Sequence, residues 1–336
     1  MDVPAWVWFA TVGAIGVLFA VDLLIVDRKP HAVAVPEAAR WVVFYLGCAA
    51  AFGLGVWLFA GSTYAVEYFA GYLTEYALSV DNLFIFVIIM SAFRVPAILQ
   101  HRVLLIGIVL ALAMRGLVIA AGAAAIAHFS WVFYLFAAVL IYLGWRQIRH
   151  RDQEMEFGEN ILLRALRRRV PVADEYDGSR LTVKRDGKRL FTPMIVVMIA
   201  IGSVDLIFAL DSIPAIFGLT QEAFLVFTAN AFALMGLRQL YFLIGGLLTR
   251  LVHLPIGLGV ILGFIGVKLV LDALHENSLA FLNDGKPLDS VPTVGIGLSL
   301  AVIVGVLLAT TVASVYQTRE RHRGARPACS EAIEPQ

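Results

Sequence analysis

Charge is what this sequence has least of. Asp, Glu, Lys and Arg make up 15% of its 336 residues, where a soluble domain carries about 25%. Set against 60% hydrophobic residues, that shortfall excludes a water-soluble globular fold. Cysteine is nearly absent as well. Cys48 lies in an apolar stretch and Cys329 in a polar tail, which offers neither a disulfide framework nor a thiolate metal motif. The apolar stretches hold no paired His, no Ser-His pair and no Gly-x-Ser-x-Gly, so no enzymatic activity is expected. The start, Met1-Asp-Val-Pro-Ala-Trp6, has none of the basic residues that open a cleaved signal peptide. Its first apolar run is expected to stay in place.

What is there is hydrophobic length. A spanning helix needs about 20 apolar residues, and nine stretches qualify: 5–26, 41–60, 68–93, 103–127, 130–148, 193–217, 223–247, 256–275 and 292–316. The expected fold is all-α, a polytopic membrane protein of about nine transmembrane helices. Residues 1–148 form a membrane domain with spans 1–5, and 193–316 a second one with spans 6–9. Between them, 149–192 is a basic loop, and 317–336 is a tail. Within the loop, 161–169 reads as an amphipathic interfacial helix whose basic groups meet anionic headgroups. Residues 180–191 read as a hairpin turning at Asp186-Gly187.

The basic residues set an orientation. Of 26 Lys and Arg, 22 fall on the odd-numbered connections and the C-terminal tail, and only Lys286 on the opposite side. The positive-inside rule therefore predicts an external N-terminus and a cytoplasmic C-terminus. The basic loop is what any such protein carries on its cytoplasmic side. The lipid bilayer is the expected partner, with no nucleic acid.

Against this background four carboxylates stand out: Glu75 and Asp81 in span 3, Asp205 and Asp211 in span 6. A charge at the bilayer centre costs roughly 3 kcal/mol even on lenient insertion scales, so these residues point to a cation path rather than to packing. Ser79-Val-Asp81 matches Ser203-Val-Asp205, and Arg115 and Arg238 follow at similar distances, as do Arg146 and Lys268. Spans 3–5 thus read as an inverted three-helix repeat of spans 6–8, a transporter arrangement with its site at the midplane.

If Asp81 and Asp205 share a depth, Glu75 and Asp211 lie about 9 Å outward at 1.5 Å per residue. That gives two tiers, with Asn230 near the outer one. Six residues on a helix turn 600°, so an unbroken helix does not aim both tiers at one point. A local break, for which Pro214 and the serine-bearing segments are candidates, would bring them together and free carbonyl ligands.

The donors at these depths are carboxylates, the amides of Asn82 and Asn230, and the hydroxyls of Ser79 and Ser212. Such hard oxygen donors suit Mn²⁺, Mg²⁺ or Ca²⁺ better than Zn or Cu. Arg115, Arg238 and Lys268 are the intramembrane cations. They are expected as charge partners, either within the site or holding the bundle together. Four carboxylates against three cations leave the region one charge short of neutral, which makes proton-coupled exchange workable.

The segments Glu75-Tyr-Ala-Leu-Ser-Val-Asp-Asn-Leu-Phe and Asp205-Leu-Ile-Phe-Ala-Leu-Asp-Ser-Ile-Pro-Ala-Ile-Phe resemble the TerC/Alx family of bacterial membrane proteins. The likeness continues through Val226-Phe-Thr-Ala-Asn230, Gly236-Leu-Arg-Gln-Leu-Tyr, Asp27-Arg-Lys-Pro-His31 and Leu140-Ile-Tyr-Leu-Gly. The resemblance implies manganese export, with Mn²⁺ as transported substrate and Glu75, Asp81, Asn82, Asp205, Asp211, Ser212 and Asn230 as its ligands. It also implies an association with tellurium resistance and a place in the bacterial plasma membrane. A reading of a different class is a membrane scaffold for a tellurium-resistance or protein-insertion complex, working through the loop at 149–192.

Overall fold

The computed structural model describes residues 1, 3–26, 35–129, 131–149, 176, 180–185, 188–244, 253–275, 288 and 291–324. Nine helices account for nearly all of them: α1 (Ala5–Val26), α2 (Val35–Ala60), α3 (Ser62–Ala92), α4 (Ala97–His128), α5 (Trp131–Arg149), α6 (Pro193–Phe217), α7 (Ala223–Ile244), α8 (Leu254–His275) and α9 (Ile296–Gly324). Eight of these are long and apolar enough to cross a membrane, while the apolar part of α1 described in full is Ala5–Val21. Between α5 and α6, strand β1 (Thr182–Arg185) pairs antiparallel with β2 (Lys188–Phe191), Arg185 opposite Lys188. This is the expected antiparallel pair; the turn expected at Asp186-Gly187 lies outside the described residues. The amphipathic helix expected over 161–169 lies outside the described residues.

The bundle is centred on α3 and α7, which pack on each other; α2 and α4 cover α7, and α6 lies against α3 and α4. Side-chain exposure separates the layers. Most of the spanning part of α7 is buried, whereas α9, α5 and α2 turn most of theirs outward. Trp57, Leu58, Phe59, Leu117, Leu308 and Val312 are exposed, as lipid-facing positions should be. Helix α1 packs against α7, and α9 against α3 and α8.

Small residues set the closest approaches. A Cβ added at Gly107 would lie 2.9 Å from Ile201 Cγ2, and one at Gly202 would lie 2.7 Å from Leu110 Cδ2, so α4 and α6 run side by side in the same direction. Gly71 meets Ile216 and Ala229, bringing α3 against both α6 and α7. A seam of backbone against backbone joins α5 to α8. There a Cβ at Gly144 would stand 2.6 Å from the Gly259 carbonyl oxygen and 2.8 Å from the Gly263 nitrogen. Glycine lets the two backbones touch, the usual device for packing helices where lipid supplies no hydrophobic drive. Because the obstacle is backbone on both sides, Gly144→Leu is expected to destabilise the protein by about 1–3 kcal/mol. A lower unfolding midpoint in detergent would show it, and an unchanged midpoint would mean that the seam opens freely.

Candidate ion site

Helices α3 and α6 are continuous through their acidic segments, so the expected break is absent. Pro214 lies inside α6 but only three residues before its end at Phe217. It removes one backbone donor, which leaves the Leu210 carbonyl beside Asp211 without its ladder partner, but the helix continues through it. The consequence is the one that helical geometry dictates. With both helices intact, each sends one carboxylate to the shared centre and turns the other aside.

The two that meet are Glu75 and Asp205, both almost wholly buried. Between them lies Arg115 of α4, with a fully buried side chain. Its Nε and Nη2 donate to the two oxygens of Asp205 at 3.1 and 3.0 Å. Its Nη1 donates to Glu75 Oε1 and, at 3.2 Å, to Ser212 Oγ. The planar guanidinium is suited to this: three nitrogens in a fixed fork, always charged, reach four acceptor oxygens on two helices. Ser79, one turn after Glu75, donates to the same Oε1 at 3.5 Å. Two carboxylates and one guanidinium leave the cluster with one uncompensated negative charge away from water.

The other predicted residues are spread around this centre. Asp81 accepts from Gln147 Nε2 of α5 at 2.9 Å, whereas the partner of Asp205 is Arg115. Asp211 is half-buried and lies within electrostatic reach of both Glu75 and Arg115. Asn82 is buried on α3. Asn230 of α7 is fully buried, and neither its Nδ2 nor its Oδ1 has a partner; Glu75 Oε2 is likewise without one. Buried polar atoms in native proteins are nearly always satisfied by protein, water or an ion, and these three have no protein partner. Among the described residues, no three His, Cys, Asp or Glu side chains converge into a ready-made metal site.

The other two cations have partners of their own. Arg238 Nη1 and His101 Nε2 stand 3.4 Å apart in the interior. Lys268 donates to the Gly218 carbonyl at 3.0 Å and to Asp272 at 2.6 Å. Sequence reasoning missed His101 and Gln147. Hydropathy placed His101 in a connection, whereas α4 begins at Ala97 and takes it in. Gln147 carries no charge to draw attention, and only its spacing of three from Gly144 puts it on the α8-facing side of α5.

A family model described as "Integral membrane protein TerC family" matches residues 60–322. An uncharacterized membrane protein of Mycobacterium tuberculosis is 48% identical over 331 residues, covering 97% of this chain and 83% of its own. One from Myxococcus xanthus is 38% identical over 312 residues, covering 93% and 92%. A protein of Escherichia coli K12 called "Putative membrane-bound redox modulator Alx" is 35% identical over 331 residues, covering 95% and 97%. No solved structure matches the chain.

Proposed function

The chain belongs to the TerC family of integral membrane proteins, and from that premise we propose that it exports a divalent cation, manganese, from the cytoplasm of a bacterium across the plasma membrane. The observation that carries the reading is the buried cluster of Glu75, Asp205 and Arg115. Two carboxylates on different helices are held inside an apolar bundle by one buried arginine.

The charges suggest how the exchange runs. With Arg115 in place the cluster carries −1, so it accepts one proton, and the oxygen free to take it is Glu75 Oε2. When Arg115 swings away, Glu75 and Asp205 together carry −2 and balance a divalent ion. Asp211 supplies a carboxylate within reach for the departing guanidinium. Ser212 and Ser79 add neutral oxygens at the vacated position, and Asn230 Oδ1 adds another along α7. Oxygen donors of this kind suit Mn²⁺, with Ca²⁺ and Mg²⁺ as the nearest competitors. Asp81, beyond Glu75 toward the α3–α4 connection, serves as the approach from the cytoplasm, given an external N-terminus. Export rather than import comes from the family resemblance.

Two measurements test the ion and the class. Cells lacking their own exporter, loaded with manganese, are expected to lose it when this protein is supplied, and to lose it no faster than empty cells when Asp81→Asn is supplied. Faster loss of calcium than of manganese would reassign the ion. The scaffold reading is separated by deleting 152–188. A transporter keeps residual flux without that loop, while a scaffold loses all function.

A further inference from the structure

At the end of the bundle where α6 passes into α7 there is a cavity of about 370 Å³. Its walls include Tyr64 and Glu67 from the start of α3, Thr220 and Gln221 from the α6–α7 connection, and Lys268 and Asp272 from α8. Phe217 lines it and is itself buried, packed on Phe136 with ring centroids 6.3 Å apart. Both site helices lead into this space. Glu67 is eight residues from Glu75 on α3, about 12 Å along the axis, and Gly218 is six residues from Ser212 on α6, about 9 Å. The cavity therefore lies along the same two helices, about 12 Å beyond Glu75 on α3 and about 9 Å beyond Ser212 on α6.

The chemistry of the cavity is that of a cation seat. The Lys268 ammonium already occupies it, held by a backbone carbonyl at the end of α6 (3.0 Å) and by the Asp272 carboxylate (2.6 Å). Across the space, Glu67 Oε2 accepts from Thr220 Oγ1 at 2.6 Å. Glu222, also on the wall, is paired with the amino group of Met1, so the three carboxylates Glu67, Glu222 and Asp272 face two ammonium groups, those of Met1 and Lys268. The walls contributed by Phe133, Phe217, Leu219 and Leu269 are apolar, and low-dielectric walls concentrate the field of a charged cleft. At about 30 Å³ of liquid volume per water, the space has room for a cation with its hydration shell.

We propose that this cavity is a second cation site, a chamber that holds a hydrated divalent cation through the Glu67 and Asp272 carboxylates and the Gly218 carbonyl, with Lys268 as the resident cation that the ion displaces. Its place on the exit path rests on the transport reading above, but its affinity for cations does not. Lys268 is then a gate at the chamber rather than a counter-charge for Glu75 or Asp205.

The test reads charge selectivity at a cysteine placed in the chamber. Gln221→Cys is exposed and is made with Cys48→Ser and Cys329→Ser in the full chain, purified in detergent. Its rates of modification by a cationic and an anionic methanethiosulfonate are compared, each divided by the rate with a free thiol in solution. The cationic reagent is expected to be favoured by about tenfold or more, the low end of enrichment in a charge-lined cleft. Millimolar manganese chloride should slow it. Lys268→Met should raise the preference, and Glu67→Gln with Asp272→Asn should remove it. Equal normalised rates, a preference untouched by these substitutions, or no modification at all would overturn the chamber. A selective chamber in a protein that moves no manganese would sink the transport reading and leave the chamber standing. Active transport with equal rates would do the reverse.

Discussion

Replacing Arg115 with leucine is expected to destabilise the folded protein by about 3–5 kcal/mol, the cost of removing one partner from a buried ion pair. The size follows from what remains. Glu75 and Asp205 stay in place, each almost fully buried, and the guanidinium that satisfied three of their four oxygens is gone. Lysine is no adequate substitute, because one ammonium lacks the fork that reaches two helices at once. The penalty belongs to the stranded carboxylates, so Glu75→Gln and Asp205→Asn made together in the Arg115→Leu background should restore much of the lost stability. Unfolding midpoints in detergent for the single and triple variants decide it. An Arg115→Leu protein as stable as the parent would mean that water or another cation already serves these oxygens.

The second large effect is on flux. Glu75→Gln and Asp205→Asn, made separately, are each expected to end manganese export while the protein still inserts and elutes as a single species. Either change takes the cluster from −1 to neutral, with Arg115 held by the remaining carboxylate. A neutral, satisfied ion pair has no electrostatic reason to open for a divalent ion. The folding cost should be small for Glu75→Gln, whose amide keeps its oxygen on Arg115, and larger for Asp205→Asn, which sets an amide NH2 against one of the two Arg115 nitrogens that donate to Asp205. Export at the parental rate in both variants, with protein levels matched, would remove the cluster from the path.

Much of the fold could be read from hydropathy because lipid imposes length on every span. The predicted 193–217 coincides with α6 (Pro193–Phe217), and 5–26 with α1 (Ala5–Val26). The misses lie at polar ends. Helix α4 starts at Ala97 and carries Gln100, His101 and Arg102 inside it, while α9 runs on to Gly324 past three arginines. A hydropathy window stops where lipid contact stops, but backbone hydrogen bonding does not. The β-hairpin was legible because Asp-Gly between two strand-forming runs specifies a two-residue turn.

The site was legible in its residues and less so in its pairing. Burial cost alone marked Glu75, Asp81, Asp205 and Asp211, and six residues of unbroken helix, a 600° turn, separate the two of each pair by facing. The signal for the observed partnership was also present. Glu75 precedes Asp81-Asn82 by the same six residues that separate Asp205 from Asp211-Ser212, which sets Glu75 beside Asp205 rather than Asp81 beside it. The Ser-Val-Asp triplet, identical in both segments, favoured the other register. Arg115 as the bridge was harder to read, because a third helix decides which carboxylates a long side chain reaches. Lys268 illustrates the same limit: its partner Asp272 is four residues away on its own helix, and its carbonyl acceptor lies at the end of α6.

The most direct test of the account is manganese efflux from cells that lack their own exporter, compared between the intact protein and Asp205→Asn at equal membrane abundance. The account predicts loss of cellular manganese with the intact protein and retention with Asp205→Asn, as in cells carrying neither. Equal loss with both would contradict it, because the ion would then cross without the carboxylate that Arg115 guards.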